Sequence, residues 1–264
     1  MNGSTMATVS TDRAWRELHE AATIPYKQGG SFAWHFARGK LGRDPVFRGL
    51  LERGLVDARH RRVVDIGCGQ GLFASLLASA SRLRQQGRWP SSWAATPDAA
   101  EYTGIELMPR DVARAEASIG HLRPAPRLLC TDMCAAELPD CDLVVILDVL
   151  HYVDHAAQEG VLRRVRDALR RGASPKARLL LRVGDASSRR GFAISQWVDR
   201  TVTRIRGHKV SPTWGRPLAE WKAVLERLGF RVQSIPMSEG TPFANVLLVA
   251  DLEGAAGETG ETTS

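Results

Sequence analysis

The chain of 264 residues is short of several things. It has no long hydrophobic run. The longest apolar stretch, Leu143 to Leu150, is broken by Asp148 and falls far short of the ~20 residues a membrane-spanning helix needs. The first ten residues are small and polar, with no basic start leading into an apolar run, so no signal peptide is expected. The expectation is a soluble, cytoplasmic protein. Cysteine is scarce: Cys68, Cys130, Cys134 and Cys141 are the only four. Cys130 and Cys134 make one loose pair without the second pair a zinc site wants, so ordinary thiols are expected and a metal site is not. No internal repeat is visible.

What is present is enough for a globular core: 44% hydrophobic and 25% charged residues. The net charge is +7, and its distribution says more than its size. Arg189, Arg190, Arg200, Arg204, Arg206, Lys209 and Arg216 fall in one segment opposed only by Asp199. A field of that sign favours acidic partners or anionic substrates; the same residues also suit a solvated arginine-rich helix face.

From residue 61 onward, strand and helix signals alternate. RVVDI, EYTGIEL, PRLLC, CDLVVIL, ARLLLRVG, FRVQSIP and FANVLLVAD read as strands. Between them, GLFASLLASA, PRDVARAEASI, HAAQEGVLRRVRDALRRG and PLAEWKAVLERLG read as helices. Pro109 opens one helix at a favoured first-turn position. In the third, Val161, Leu162, Val165, Ala168 and Leu169 form the inward face and Gly172 the C-terminal glycine. Such alternation predicts an α/β fold with a parallel sheet and helices on both faces. The short MSEGTP turn predicts an antiparallel last strand, so the expected sheet has six parallel strands and one antiparallel. Residues 1–58 are expected to form an N-terminal helical lid and residues 59–252 the main domain. Within it, 82–100 reads as a loop insertion and 185–216 as a substrate-side insert. Residues 253–264 read as a disordered tail.

The segment VVDIGCGQG turns from strand to helix through Gly67, Cys68, Gly69 and Gly71. No lysine follows, so this is not a nucleoside-triphosphate loop. The glycines run Gly-x-Gly-x-Gly, where a dinucleotide fingerprint has Gly-x-Gly-x-x-Gly. Asp65 just before them would repel a pyrophosphate and suits a ligand with positive charge.

VVDIGCGQG resembles the first motif of class I S-adenosylmethionine-dependent methyltransferases, and residues 61 to about 252 follow that family's order. The resemblance implies a Rossmann-like seven-stranded methyltransferase sheet and S-adenosyl-L-methionine as cofactor. It assigns Glu106, with Leu107 beside it, to the ribose hydroxyls, Asp132 to the adenine amino group and Met133 to the adenine ring. Glu106 comes later than the ~20 residues usual after such a turn, which a surface insertion at 82–100 would explain. DLVVILDVLHYV matches the fourth strand and the loop after it, so Leu147 and Asp148 should line the methyl-transfer side. His151 and Tyr152 could face the acceptor, with His151 the best candidate base and His35 a second. Tyr26, Phe32, Trp34 and Phe36 could make an aromatic lid, and Arg38 or Lys40 could meet the cofactor carboxylate. The stretches WHFARGKLGRDPVFRGLL and PMSEGTPFANVLLVA are also similar to bacterial methyltransferases of aryl-polyene or fatty-acid-like biosynthesis. That implies a small aromatic or acyl acceptor, free or on an acyl carrier protein. Two alternatives stand beside this reading. One is an RNA methyltransferase, disfavoured by the lack of an added RNA-binding domain. The other is a silent binding protein, disfavoured by the joint presence of Asp65, Glu106 and Asp132.

Overall fold

A computed structural model describes residues 9–184, 213–237 and 245–252. Most of the basic segment, the MSEGTP turn after Met237 and the 253–264 tail lie outside the described residues. Three helices come first, α1 (Thr11–Thr23), α2 (Ser31–Arg43) and α3 (Pro45–Glu52), with a 3₁₀ turn over Ile24–Lys27. Then follow β1 (Arg62–Ile66), α4 (Leu72–Gln85), β2 (Glu101–Glu106), α5 (Pro109–Ile119), β3 (Arg127–Cys130) and β4 (Leu143–Leu147). A 3₁₀ turn over Leu150–Tyr152, α6 (His155–Gly172), β5 (Arg178–Gly184), α7 (Leu218–Arg227), β6 (Phe230–Pro236) and β7 (Asn245–Leu252) complete the described chain.

The strands form one sheet in the order β3-β2-β1-β4-β5-β7-β6. Neighbours from β3 to β5 pair in parallel, and β7 runs antiparallel to both β5 and β6. The expected six-plus-one sheet is therefore the observed one. Alternation along each strand divides the core in two. Val63, Val145, Leu180, Leu247 and Val249 face α1 to α5, packed with Leu18, Tyr26, Leu41, Phe73, Leu76 and Ile119. Val64, Ile66, Val144, Ile146, Leu181 and Leu248 face α6 and α7, packed with Val161, Leu162, Val165, Leu169 and Trp221. Helix α6 buries the five residues read as its inward face, and Asp154 caps it by accepting from the Ala157 N–H at 2.8 Å.

Two local readings need correction. Gly172 does not terminate α6 by taking a left-handed conformation; Ala173 does, at φ 52°. Gly172 is glycine because a Cβ there would stand 2.0 Å from the Cys141 carbonyl oxygen, so the helix end can touch the start of β4 only without a side chain. The 82–100 segment also differs from a surface loop. Arg82 to Gln85 are the last turn of α4, and Trp93 is buried in the core with Trp89 edge-on at 5.1 Å. Tryptophan anchoring outweighs the loop-like composition around it.

Helix α2 sets the geometry above the sheet. At its start, Gly29 lies against Ser118, and the Arg114 guanidinium sits 4.4 Å over the Phe32 ring, both from α5. At its end, Lys40 and Asp44 reach Asp148 and Arg182, beyond β4 and on β5. The helix therefore crosses the C-terminal ends of the parallel strands, the side on which open α/β sheets bind ligands.

Candidate functional site

The turn after β1 holds three glycines with positive φ: Gly67 at 74°, Gly69 at 55° and Gly71 at 73°. L-residues rarely adopt this region. Two of the three are also closed in by neighbours. A Cβ on Gly67 would meet Val149 Cγ1 at 2.5 Å, and one on Gly71 would meet Ile119 Cδ1 at 2.4 Å. Gly69 differs, because a Cβ there would find nothing within 4 Å. The turn is thus braced at both ends and open in the middle.

Glu106, at the end of β2, faces that opening. Its Oε2 accepts the Gly69 N–H at 2.9 Å and its Oε1 the Met108 N–H at 2.9 Å. Each carboxylate oxygen has a second lone pair, so both can still accept a ligand hydroxyl. Leu107, next in the chain, is 61% exposed, an apolar surface at the site's mouth. Asp132 is exposed and holds its own loop, accepting the Cys134 N–H at 2.7 Å. Met133 is half-buried against the α6 and α7 side of the core.

Asp65 is 5% exposed and lies under the turn, where Tyr102 Oη donates to its Oδ2 at 2.6 Å. Burial pushes its carboxyl up to about 7; the Tyr102 hydrogen bond opposes that rise and the nearby Glu106 charge adds to it. Tyr26 reaches the turn from the opposite direction, donating its hydroxyl to the Gln70 carbonyl at 3.0 Å. It is wholly buried and supports the turn from within, unlike the aromatic lid residue read from sequence. Gln70 Nε2 donates to Asp111 Oδ1 at 3.1 Å, which ties the turn to α5. Cys68 is buried in the turn as a free thiol, and burial raises its pKa.

Beyond β4, Asp148 has a left-handed backbone at φ 60°. Its carboxylate is not turned to open solvent alone. Arg182 of β5, 2% exposed, donates from Nε to Asp148 Oδ1 at 2.8 Å and from Nη2 to Asp44 Oδ2 at 2.7 Å. Lys40 lies 2.8 Å from Asp44 and 4.0 Å from Asp148. Burial alone would raise the Asp44 carboxyl, yet the Arg182 and Lys40 contacts hold it well below the usual range. The sequence reading did not single out Arg182, although a lone charge within the apolar run LLLRVG was a signal for it. Val149 and Tyr102 were likewise missed, being ordinary apolar and aromatic strand residues by pattern.

His151 and Tyr152 sit in the 3₁₀ turn after β4, with ring centroids 4.3 Å apart. The His151 carbonyl accepts the Trp214 N–H at 2.8 Å, so the chain returning to α7 fastens on this turn. Leu147 precedes them, half-buried. His35 is exposed on α2, its ring against Trp34 at 4.7 Å. Arg38 lies 5.2 Å over the same Trp34 ring. Turn, Glu106, Leu147 and the 148–152 segment thus converge at the strand ends, while His35 and Arg38 cluster on Trp34.

Solved structures share this architecture. Magnesium protoporphyrin IX methyltransferase from Synechocystis PCC 6803, with bound SAH, aligns at TM-score 0.52 and 17% identity, over 92% of this chain and 95% of that one. The mitomycin 7-O-methyltransferase aligns at 0.54 and 22%, over 92% and 71%. The pyocyanin biosynthetic protein PhzM aligns at 0.55 and 16%, over 92% and 72%. At these identities the likeness is one of fold. A comparison with curated protein sequences gives no match. A family model described as a methyltransferase domain matches residues 33–235, from within α2 to the end of β6. With the seven-stranded sheet and the glycine turn between β1 and α4, that match makes the chain a member of the methyltransferase domain family.

Proposed function

We propose that the protein transfers a methyl group from S-adenosyl-L-methionine to a small-molecule acceptor, free or on an acyl carrier protein. The observation that carries this is the open Gly69 position held 2.9 Å from the Glu106 carboxylate. A backbone that leaves room for a ligand stands there beside an acid able to accept two ribose hydroxyls. Leu107 offers an apolar surface and Asp132 a carboxylate for adenine, and Asp65 beneath the turn supplies negative charge once a cationic ligand favours its ionised form. When bound, the cofactor supplies an electrophilic methyl on a sulfonium centre. What the chain then does is align the acceptor and exclude water. Leu147 and Asp148 line the transfer side. His151, with Tyr152, positions the acceptor or takes its proton where the nucleophile is a hydroxyl. The basic 189–216 segment, outside the described residues apart from its last few, would draw an acidic carrier or anionic acceptor. Helix α2 covers the strand ends as part of an N-terminal lid.

Calorimetry with S-adenosylmethionine and its demethylated product tests the reading. Glu106→Ala should lose about 2–3 kcal/mol of binding, roughly 30- to 150-fold. His151→Ala should slow turnover by ~10²-fold or more in a screen of aromatic acids and acyl carriers, with cofactor affinity kept. Binding of NAD in place of S-adenosylmethionine would overturn the proposal.

A further inference from the structure

Arg182 is the least expected side chain in the sheet. It stands in register with Leu147 at the end of β4, buried on the face that packs against the N-terminal helices. Its guanidinium holds two carboxylates at once, Asp148 through Nε at 2.8 Å and Asp44 through Nη2 at 2.7 Å. Its carbonyl also accepts the Asp148 N–H at 3.4 Å. Asp148 is therefore gripped by both main chain and side chain, and it has φ 60° without being glycine. That conformation decides where the next residue goes. Val149 lies on Gly67, close enough that a Cβ there would be 2.5 Å from one methyl and 2.7 Å from the other.

We propose that Arg182 is a positioning residue for the cofactor turn: it holds Asp148 in the left-handed conformation that presses Val149 against Gly67. The second arm of the same fork, to Asp44, ties the end of α2 to β5 and does not act on the turn. The charges around the fork balance, with Lys40 and Arg182 facing Asp44 and Asp148. A fork of this shape needs the planar guanidinium; an ammonium could not hold both carboxylates bidentately. The inference rests on the turn being the S-adenosylmethionine site, since its readout is a ligand on that turn.

The test is titration of the full chain with S-adenosylhomocysteine, alongside thermal midpoints and circular dichroism. Asp44→Asn keeps a capping oxygen for the Val46 N–H of α3 and leaves the Arg182–Asp148 arm in place. It should bind within about twofold of wild type. Adding Arg182→Met to it should weaken binding about tenfold or more at a temperature where both remain folded. Val149→Ala should weaken binding severalfold. Combined with the Arg182 change it should add little, because the two act in series. Should the arginine variant not fold, two changes at Asp148 carry the same question. Glycine adopts positive φ freely and alanine does not, so Asp148→Gly should bind more tightly than Asp148→Ala. Equal binding by that pair, wild-type binding by the Arg182 variant, or multiplying losses at Arg182 and Val149 would overturn the inference. Failure of the wild-type chain to bind would overturn the functional reading, and this inference with it.

Discussion

Asp65 is about half protonated at neutral pH because it is buried under the glycine turn, where the Tyr102 hydroxyl donates to it. Its folded pKa of about 7 lies above the ordinary 3.8. The folded chain therefore keeps a proton that the unfolded chain gives up. The contribution to stability is full below about 4 and is lost as pH rises toward about 7. Asp65→Asn should remove this slope, so that the thermal midpoint of the variant changes less than that of wild type over the same range. A cation on the turn favours the ionised form. Affinity for S-adenosylmethionine should fall as pH drops below about 7, and proton release on binding should show as a buffer-dependent heat. Identical binding heats in buffers of different ionisation enthalpy would exclude this coupling. That a carboxylate stands before the turn was legible from sequence. That Tyr102, two residues into the neighbouring strand, partners it was not, because the contact depends on the β1–β2 register.

At the scale of the element, the glycine turn separates into parts with different tasks. Gly67→Ala places a Cβ on Val149 in a backbone already at φ 74°, and should cost about 3 kcal/mol of stability. Gly69→Ala meets no neighbour and should cost only about 1–2 kcal/mol of backbone strain. Its methyl enters the space left for the ligand, so cofactor affinity should fall more than stability. Denaturant unfolding read beside calorimetry separates the two; equal ratios of binding loss to stability loss would contradict the division. The elements were the most legible part of the chain. HAAQEGVLRRVRDALRRG is the whole of α6, and PRDVARAEASI the whole of α5, because apolar periodicity and a capping residue or proline agree there. Where composition and packing disagree, sequence misled: Trp93 sits in a Pro- and Ser-rich stretch yet is core, and Gly172 looked like a cap yet serves a close contact. Arg182 was illegible as a partner of Asp44 and Asp148, since three distant segments must fold before the fork exists.

For the whole molecule, the N-terminal helices are not an appendage. Leu18, Tyr26, Leu41 and Leu50 belong to the same buried cluster as Val63, Phe73, Val145 and Leu180, and the Tyr26 hydroxyl ties it to the turn. A chain lacking residues 1–58 would strip the N-terminal helices from the buried cluster they share with α4, α5 and the sheet. It should bind a hydrophobic dye and lose near-ultraviolet circular dichroism while keeping helical signal, as loosely packed states do; a cooperative, dye-free truncate would show the helices to be dispensable. The sheet order carries a different consequence, for how the molecule is built in time. β7 is the last strand in chain order, yet it is an interior one, paired with β5 on one side and β6 on the other. A growing chain can zip β1 to β5 into a parallel sheet as each emerges. β6 then has nothing to join, and the row of backbone groups along β5 stays open until β7 arrives. Assembly in chain order would therefore pass through a five-stranded stage with a bare edge at Leu179 to Val183, a template for any passing strand. The final hairpin slots in and seals it, leaving β6, with Arg231, Gln233 and Pro236, as the polar, proline-ended edge of the finished sheet.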